Sequence, residues 1–222
     1  MTEFVRAILV NFLKKHCNSI YNILINELAK NFTYVYRTSG YRTWRNTYWL
    51  GKKSWKCPLD LWIYQEIIYD LKPDIIVESG TFKGGTALYL ANICDLVNKG
   101  IIITIDIVDL EDRPKHNRIK YLTGSSTSNE ITSKVKKELG NNDRVMVILD
   151  SNHSKNHVLN ELRIYSKMVT KGSYLIIEDT NLDGPRKALK AFLKENKDFF
   201  TDKSKNKFFL TFNPKGFLKK VK

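Results

Sequence analysis

The chain has 222 residues, of which 42% are hydrophobic and 27% charged, with 37 Lys and Arg against 23 Asp and Glu for a net charge of +14. That composition excludes a disordered or fibrous protein and fits one large domain, or one domain with an appendage, around a proper core. No run of eighteen apolar residues occurs, so no transmembrane helix is expected.

The basic excess is compatible with polyanionic partners or with an anionic membrane surface, and equally with simple solubility. From Arg186 to Lys222 twelve Lys or Arg face three acids, Glu195, Asp198 and Asp202. No basic block adjoins the acidic residues described below, so nucleic acid is not an expected partner. Cys17, Cys57 and Cys94 are odd in number and form no CxxC pair, which argues against a zinc site and for a reducing compartment. Residues 4–13 are apolar except Arg6 and Asn11, but no small-residue cleavage site follows them. A cytoplasmic location is therefore expected.

Residues 3–30 read as one amphipathic helix, with Val5, Ile8, Leu9, Phe12, Leu13, Ile20, Ile23, Leu24 and Leu28 at helical spacing. Its apolar face is expected to pack on the parent domain or on a sister subunit in a homo-oligomer. Peripheral contact with a membrane is the minority alternative. Residues 32–58 are irregular and rich in rings (Tyr34, Tyr36, Tyr41, Trp44, Tyr48, Trp49, Trp55), which reads as a cap over a site. The expected division is thus an N-terminal helix and aromatic cap over 1–58 and a main domain over 59–222. Pro58 starts a helix to about Leu71, with Leu61, Trp62, Ile67 and Ile68 expected inward.

A β-then-α alternation follows, with strands at 75–79, 101–106, 118–123, 145–150 and 173–179 and helices at 84–97, 128–139, 155–168 and 185–196. This order predicts an α/β fold, a mostly parallel sheet with helices on both faces. Phe199-Phe200 and residues 207–212, with Asn213-Pro214-Lys215-Gly216 as a turn, read as an antiparallel pair closing the sheet.

The strands carry the chemistry at their ends. Their apolar runs stop at Glu78, Asp106, Asp150 and Glu178-Asp179. Ligands of an open parallel sheet bind just outside the carboxyl ends of its strands. Carboxylates gathered there repel one another unless cations or hydroxyl-rich ligands compensate. The first turn, Glu78-Ser79-Gly80-Thr81-Phe82-Lys83-Gly84-Gly85-Thr86, is glycine-rich but lacks the G-x-G-x-x-G spacing of dinucleotide folds. Its leading acid suits a cofactor with a positive amino-acid part, as in S-adenosylmethionine. Asp106 is placed to accept from ribose hydroxyls. Asp150, Glu178 and Asp179 end neighbouring strands and form an oxygen-donor set for Mg²⁺ or Mn²⁺. A helix N-cap is the alternative for Asp150, and a turn role for Asp179. His153, three residues after Asp150, is a candidate general base, with His157 one helical turn on as its rival.

These residues sit in segments that resemble the rhamnosyl O-methyltransferase / cephalosporin hydroxylase family. The resemblance is carried by Tyr41 to Phe82, Gly124-Ser125-Ser126, Val145 to Leu162 (VMVILDSNHSKNHVLNEL), Gly172 to Asn181 (GSYLIIEDTN) and Phe209 to Leu218. It implies a Rossmann-like class I methyltransferase fold with a seven-stranded sheet, and S-adenosylmethionine-dependent O-methylation of a sugar hydroxyl, on rhamnose or a related deoxysugar of a glycan. It implies a divalent metal at Asp150, Glu178 and Asp179, with His153 as base. The cofactor positions it implies are Glu78, Gly80, Thr81, Gly85, Asp106, Ser125, Ser126 and Asp150. Family members usually carry a longer Gly-Pro-Gly-Pro loop after the acidic pair, where this chain has only Asn181-Leu182-Asp183-Gly184-Pro185. An RNA or other small-molecule acceptor, or a non-catalytic accessory role beside a hydroxylase, are the alternatives.

Overall fold

The computed structural model describes residues 3–38 and 43–222. Tyr41, one of the cap rings, lies outside the described residues. Five strands run parallel: β3 (Ile75–Ser79), β4 (Ile101–Asp106), β5 (Ile119–Thr123), β6 (Val145–Leu149) and β7 (Tyr174–Ile177). β8 (Phe199–Thr201) and β9 (Phe217–Lys220) complete a seven-stranded sheet of order β5-β4-β3-β6-β7-β9-β8. Both pairings of β9, to β7 and to β8, are antiparallel. A separate short hairpin, β1 (Tyr48–Trp49) and β2 (Lys52–Lys53), lies in the cap segment.

Every residue of β3, β6 and β7 is buried, as expected for central strands covered on both faces. Alternation along them feeds two cores. Ile75, Val77, Val145, Val147 and Leu149 pack with α5 (Asn129–Lys137), α6 (Lys155–Tyr165) and α7 (Asp183–Glu195). Ile76, Met146, Ile148 and Ile176 face α3 (Pro58–Leu71) and α4 (Gly85–Leu96). The buried stripe of α3 is Asp60, Ile63, Tyr64, Ile67 and Ile68. Trp62, expected inward, is 58% exposed because it falls one step off that stripe.

Two further expectations change. Residues 3–30 are not one helix: α1 (Glu3–His16) and α2 (Asn18–Thr38) are separated at Cys17. None of the described residues of α2 is buried, and Ile8, Phe12, Ile20, Ile23 and Leu28 are exposed. α2 contacts α1 and meets the main domain through its C-terminal part, where Phe32 and Thr33 line a pocket with Pro58 and Leu210 and the Tyr36 ring lies 5.9 Å from that of Phe212. The antiparallel partner of β8 is β9, not residues 207–212. Buried Asp60 draws the latter segment onto the start of α3, accepting from the Phe212 amide at 2.9 Å and from the Thr211 hydroxyl.

The cap docks through tight backbone contact. Trp49 donates from Nε1 to Asn92 at 2.9 Å and lies edge-on to Tyr89. Gly85, at the first turn of α4, faces Lys53: a Cβ there would lie 2.2 Å from the Lys53 carbonyl oxygen. Gly85 thus serves cap docking through its missing side chain. Gly85→Ala is expected to cost about 1–3 kcal/mol. Urea denaturation should show the lowered midpoint, and limited proteolysis should cut faster within residues 43–57.

Candidate active site

The sheet order reverses direction between β3 and β6, the crevice where open α/β sheets bind ligands. There the backbone is drawn close. The Gly80 amide donates to Ile105 O at 2.8 Å, the Asp150 amide donates to Ser79 O at 2.9 Å, and Gly80 has φ +92°. A Cβ on Gly80 would sit 2.0 Å from the carbonyl oxygen of Asp150, so only glycine fits this turn.

The other turn residues divide their roles. Glu78 is fully buried; Thr104 donates to its Oε2 at 2.6 Å, while Oε1 has no hydrogen-bond partner. Burial pushes the Glu78 carboxyl up to about 7 against the pull of Lys56. An orphaned carboxylate oxygen at the strand end fits the cationic amino-acid part of a sulfonium cofactor. Thr81 is tied to Thr104 by a hydroxyl–hydroxyl bond of 2.6 Å. Asp106 accepts from the Phe82 amide at 2.7 Å and the Val108 amide at 3.1 Å, which fixes the carboxylate and leaves further acceptor capacity. Ser126 is buried and donates to Glu161 at 2.6 Å, and His157 lies beside that pair, 3.2 Å from the Ser126 hydroxyl. Ser125 is half-buried and bonds Thr127. Over the turn lies the cap: the Trp55 ring stacks on Phe82 at 4.1 Å, and Trp44 meets Trp55 edge-on at 5.5 Å.

Asp150, His153 and Asp179 converge next to this turn, with one ligand atom from each lying within 4.8 Å of the others. His153 Nε2 is 3.0 Å from Asp179 Oδ2 and 3.5 Å from Asp150 Oδ1. The two carboxylates are the oxygen donors that suit a hard divalent ion such as Mg²⁺ or Mn²⁺, with the His153 imidazole beside them. Hydrogen bonding to Asp150 and Asp179 lifts the His153 pKa to about 10, so without an ion the imidazole is protonated at neutral pH. Asp179 has φ +55°, and its amide donates to Asn213 Oδ1 at 2.9 Å. Burial opposes the Asp179 charge, but His153 and Arg37 outweigh it and hold the carboxyl below its ordinary range. The shortened loop runs directly into α7, where Gly184 abuts the His153 carbonyl oxygen: a Cβ would lie 2.0 Å away.

Glu178 stands beside this group but turns inward. Its Oε1 accepts from Tyr64 and lies 2.9 Å from Lys56 Nζ, and Lys56 also donates to Asp150 Oδ2. Burial raises the Glu178 pKa, with Lys56 opposing and Asp150 adding to the rise. Burial likewise pulls Lys56 down, but Asp150, Glu178 and Glu78 more than reverse it and hold the ammonium charged. Arg37, from the last turn of α2, donates to Asp179 at 3.0 Å and Asn181 at 2.7 Å, over the Phe212 ring. Lys56, Tyr64, Arg37 and Asn213 did not emerge from the sequence. The one signal for Lys56 is its place in Trp55-Lys56-Cys57-Pro58, where apolar neighbours leave it little surface.

A parallel sheet in this order, with a glycine turn and acids along its carboxyl edge and an antiparallel closing pair, defines a class I methyltransferase fold. Residues 41–221 match the family described as Rhamnosyl O-methyltransferase/CmcI, and the chain belongs to that family. It is similar to the rhamnosyl O-methyltransferase of Mycobacterium tuberculosis, 34% identical over 197 residues that cover 81% of this chain and 80% of the relative. The Mycobacterium leprae protein of the same name is 33% identical over 192 residues, 79% of this chain and 83% of its own. Among solved structures, a CmcI apo-structure superposes with a TM-score of 0.67 at 21% identity, covering 84% of this chain and 81% of that one. The expected enzyme class stands: the chain is an S-adenosylmethionine-dependent O-methyltransferase.

A pKa raised in the folded state stabilises below the unfolded value and loses its effect as pH climbs through the folded one. For His153 that window runs from 6.5 to about 10. In EDTA, the melting-temperature gap between the wild type and His153→Gln should be widest at about pH 6 and close steadily toward alkaline pH.

Proposed function

We propose that this chain methylates a hydroxyl of a sugar, rhamnose or a related deoxysugar of a glycan, in a reaction that depends on a divalent ion, Mg²⁺ or Mn²⁺. The observation that carries this reading is the convergence of Asp150, His153 and Asp179 beside the Gly80 turn. The names of the mycobacterial relatives support the sugar acceptor. When bound, the cofactor supplies an electrophilic methyl group and the ion acidifies a hydroxyl near it.

The chain's own residues supply the rest. Asp150 and Asp179 would hold the ion from the ends of neighbouring strands. His153 Nε2, in reach of both carboxylates, is the proton acceptor for the acceptor hydroxyl. Neutralising those carboxylates removes the cause of its raised pKa, so the imidazole becomes free to accept a proton. Glu78, with its unpartnered Oε1, and the Gly80 backbone would hold the cofactor's amino-acid part. Asp106, anchored by two amides, would face the ribose. Trp44 and Trp55 wall the turn and exclude water from the reacting atoms.

Asp150→Ala and Asp179→Ala should each lower transfer to a rhamnose-ended glycan by roughly 100-fold or more while S-adenosylhomocysteine still binds. Mass spectrometry of the glycan and calorimetry with S-adenosylhomocysteine read the two effects. Near-wild-type turnover of either variant in EDTA would remove the ion from the reaction. Transfer to some other acceptor, with every deoxysugar glycan left unmodified, would remove the sugar.

A further inference from the structure

We propose that the Arg45 guanidinium and the Trp55 indole N–H form a carboxylate clamp: two donors from the cap that receive the α-carboxylate of the sulfonium cofactor, while Glu78 receives its ammonium. This inference rests on the reading that the cofactor's amino-acid part sits at the Gly80 turn. It adds the half of that zwitterion which the sheet domain leaves unmet.

A zwitterion brings one cation and one anion, and each needs a partner once water leaves. Glu78 Oε1 is an acceptor and answers only the cation. The turn's own donors are largely committed. The Gly80 and Thr81 amides donate to Ile105 O at 2.8 and 3.2 Å, the Phe82 amide to Asp106 at 2.7 Å and the Gly84 amide to Thr81 O at 2.8 Å. The Lys83 ammonium turns to Asp112, 3.0 Å away. Arg113 donates to Phe82 O at 2.9 Å and Val108 O at 2.6 Å, and lies 3.7 Å from Asp106. The buried Ser79 hydroxyl has no partner, but alternation along β3 sends it with Ile75 and Val77 to the face of the sheet opposite Glu78 and Ile76.

The cap carries unmatched donors over the same turn. The Trp55 ring stacks on Phe82 at 4.1 Å, yet its Nε1–H is buried without a hydrogen-bond partner among the described residues. Arg45, in the 3₁₀ turn Thr43–Asn46, holds its guanidinium 5.0 Å from the Trp44 ring centroid and 5.3 Å from that of Trp55. Its buried Nε also lacks a partner among the described residues. Buried donors left unpaired are expensive, and two of them on one pair of rings mark a place built for an acceptor. Stacking occupies the faces of a guanidinium and not its N–H edge, and that edge is what a planar carboxylate meets. Trp55 is also held at φ +50°, a left-handed backbone unusual for a bulky residue, so its place over the turn is imposed by the cap and not by local preference.

The test is calorimetry with two ligands: S-adenosylhomocysteine, and its decarboxylated analogue, which keeps the ammonium and loses only the carboxylate. The wild type should bind the analogue about thirtyfold more weakly. Arg45→Met should weaken S-adenosylhomocysteine by about thirtyfold and leave the analogue within about threefold of the wild type, so that the two ligands bind it nearly alike. Arg45→Lys, which keeps the charge but not the fork of N–H groups, should bind S-adenosylhomocysteine at least about threefold tighter than Arg45→Met does. Trp55→Phe, which keeps a ring on Phe82, should cost about fivefold for S-adenosylhomocysteine and leave the analogue unchanged. A cap that merely came loose would weaken both ligands together, so equal losses for the two in Arg45→Met and Trp55→Phe overturn the proposal. A wild type that binds both ligands equally well overturns it too. Glu78→Gln tests the reading beneath it: both ligands should weaken, since both carry the ammonium. If neither does, the amino-acid part lies elsewhere and the clamp falls with that placement.

Discussion

Like charges forced together at the carboxyl edge of a parallel sheet are the constraint that shapes this protein. β6 and β7 are hydrogen-bonded neighbours, and the Glu178 amide donates to Leu149 O at 3.0 Å, so Asp150 and the Glu178-Asp179 pair cannot be kept apart. Buried carboxylates at that spacing need cations. The sheet domain does not supply them all. Lys56 comes from the cap and Arg37 from the end of α2, so the N-terminal segments are held on the main domain by the charges they bring.

That origin explains why the cap is anchored from two directions. Rings hold it over the glycine turn, through Trp55 on Phe82, and over α4, through Trp49 on Tyr89. Lys56 then reaches beneath those rings to the strand ends. On the far side, buried Asn213 joins Asp179 to Tyr64, so the turn between residues 213 and 216 and the helix α3 are fixed relative to the same carboxylates. Buried polar networks of this kind rigidify a site because each unmade bond is expensive. The exposed side of the cluster is at His153, whose side chain is 41% exposed.

Much of this was legible in the residues. Short apolar runs rich in Ile and Val, with an acid at the end of each, read as strands buried on both faces, and each fell within about a residue of its observed bounds. An acid at the end of such a strand lands at the ligand edge by topology alone. Two misreadings have separate physical causes. Residues 207–212 carry a β-like apolar pattern, yet buried Asp60, far away in sequence, takes their Phe212 amide and Thr211 hydroxyl. Trp62 fits a helical stripe by composition, but the register begun at Pro58 turns it outward. In both, a tertiary contact or a register outweighed local preference.

The sequence by itself determined the α/β order, the glycine turn and the set of acids at the strand ends, because each follows from short-range pattern and from the fixed geometry of a parallel sheet. Only the tertiary structure decided which carboxylate meets which cation. Lys56 lies 94 residues from Asp150, and Arg37 lies 142 from Asp179, and no periodicity links positions so far apart. The division of the cluster into a closed side at Glu178 and an open side at His153 is a product of packing, since charges separated along the chain acquire a distance only when the cap settles on the sheet.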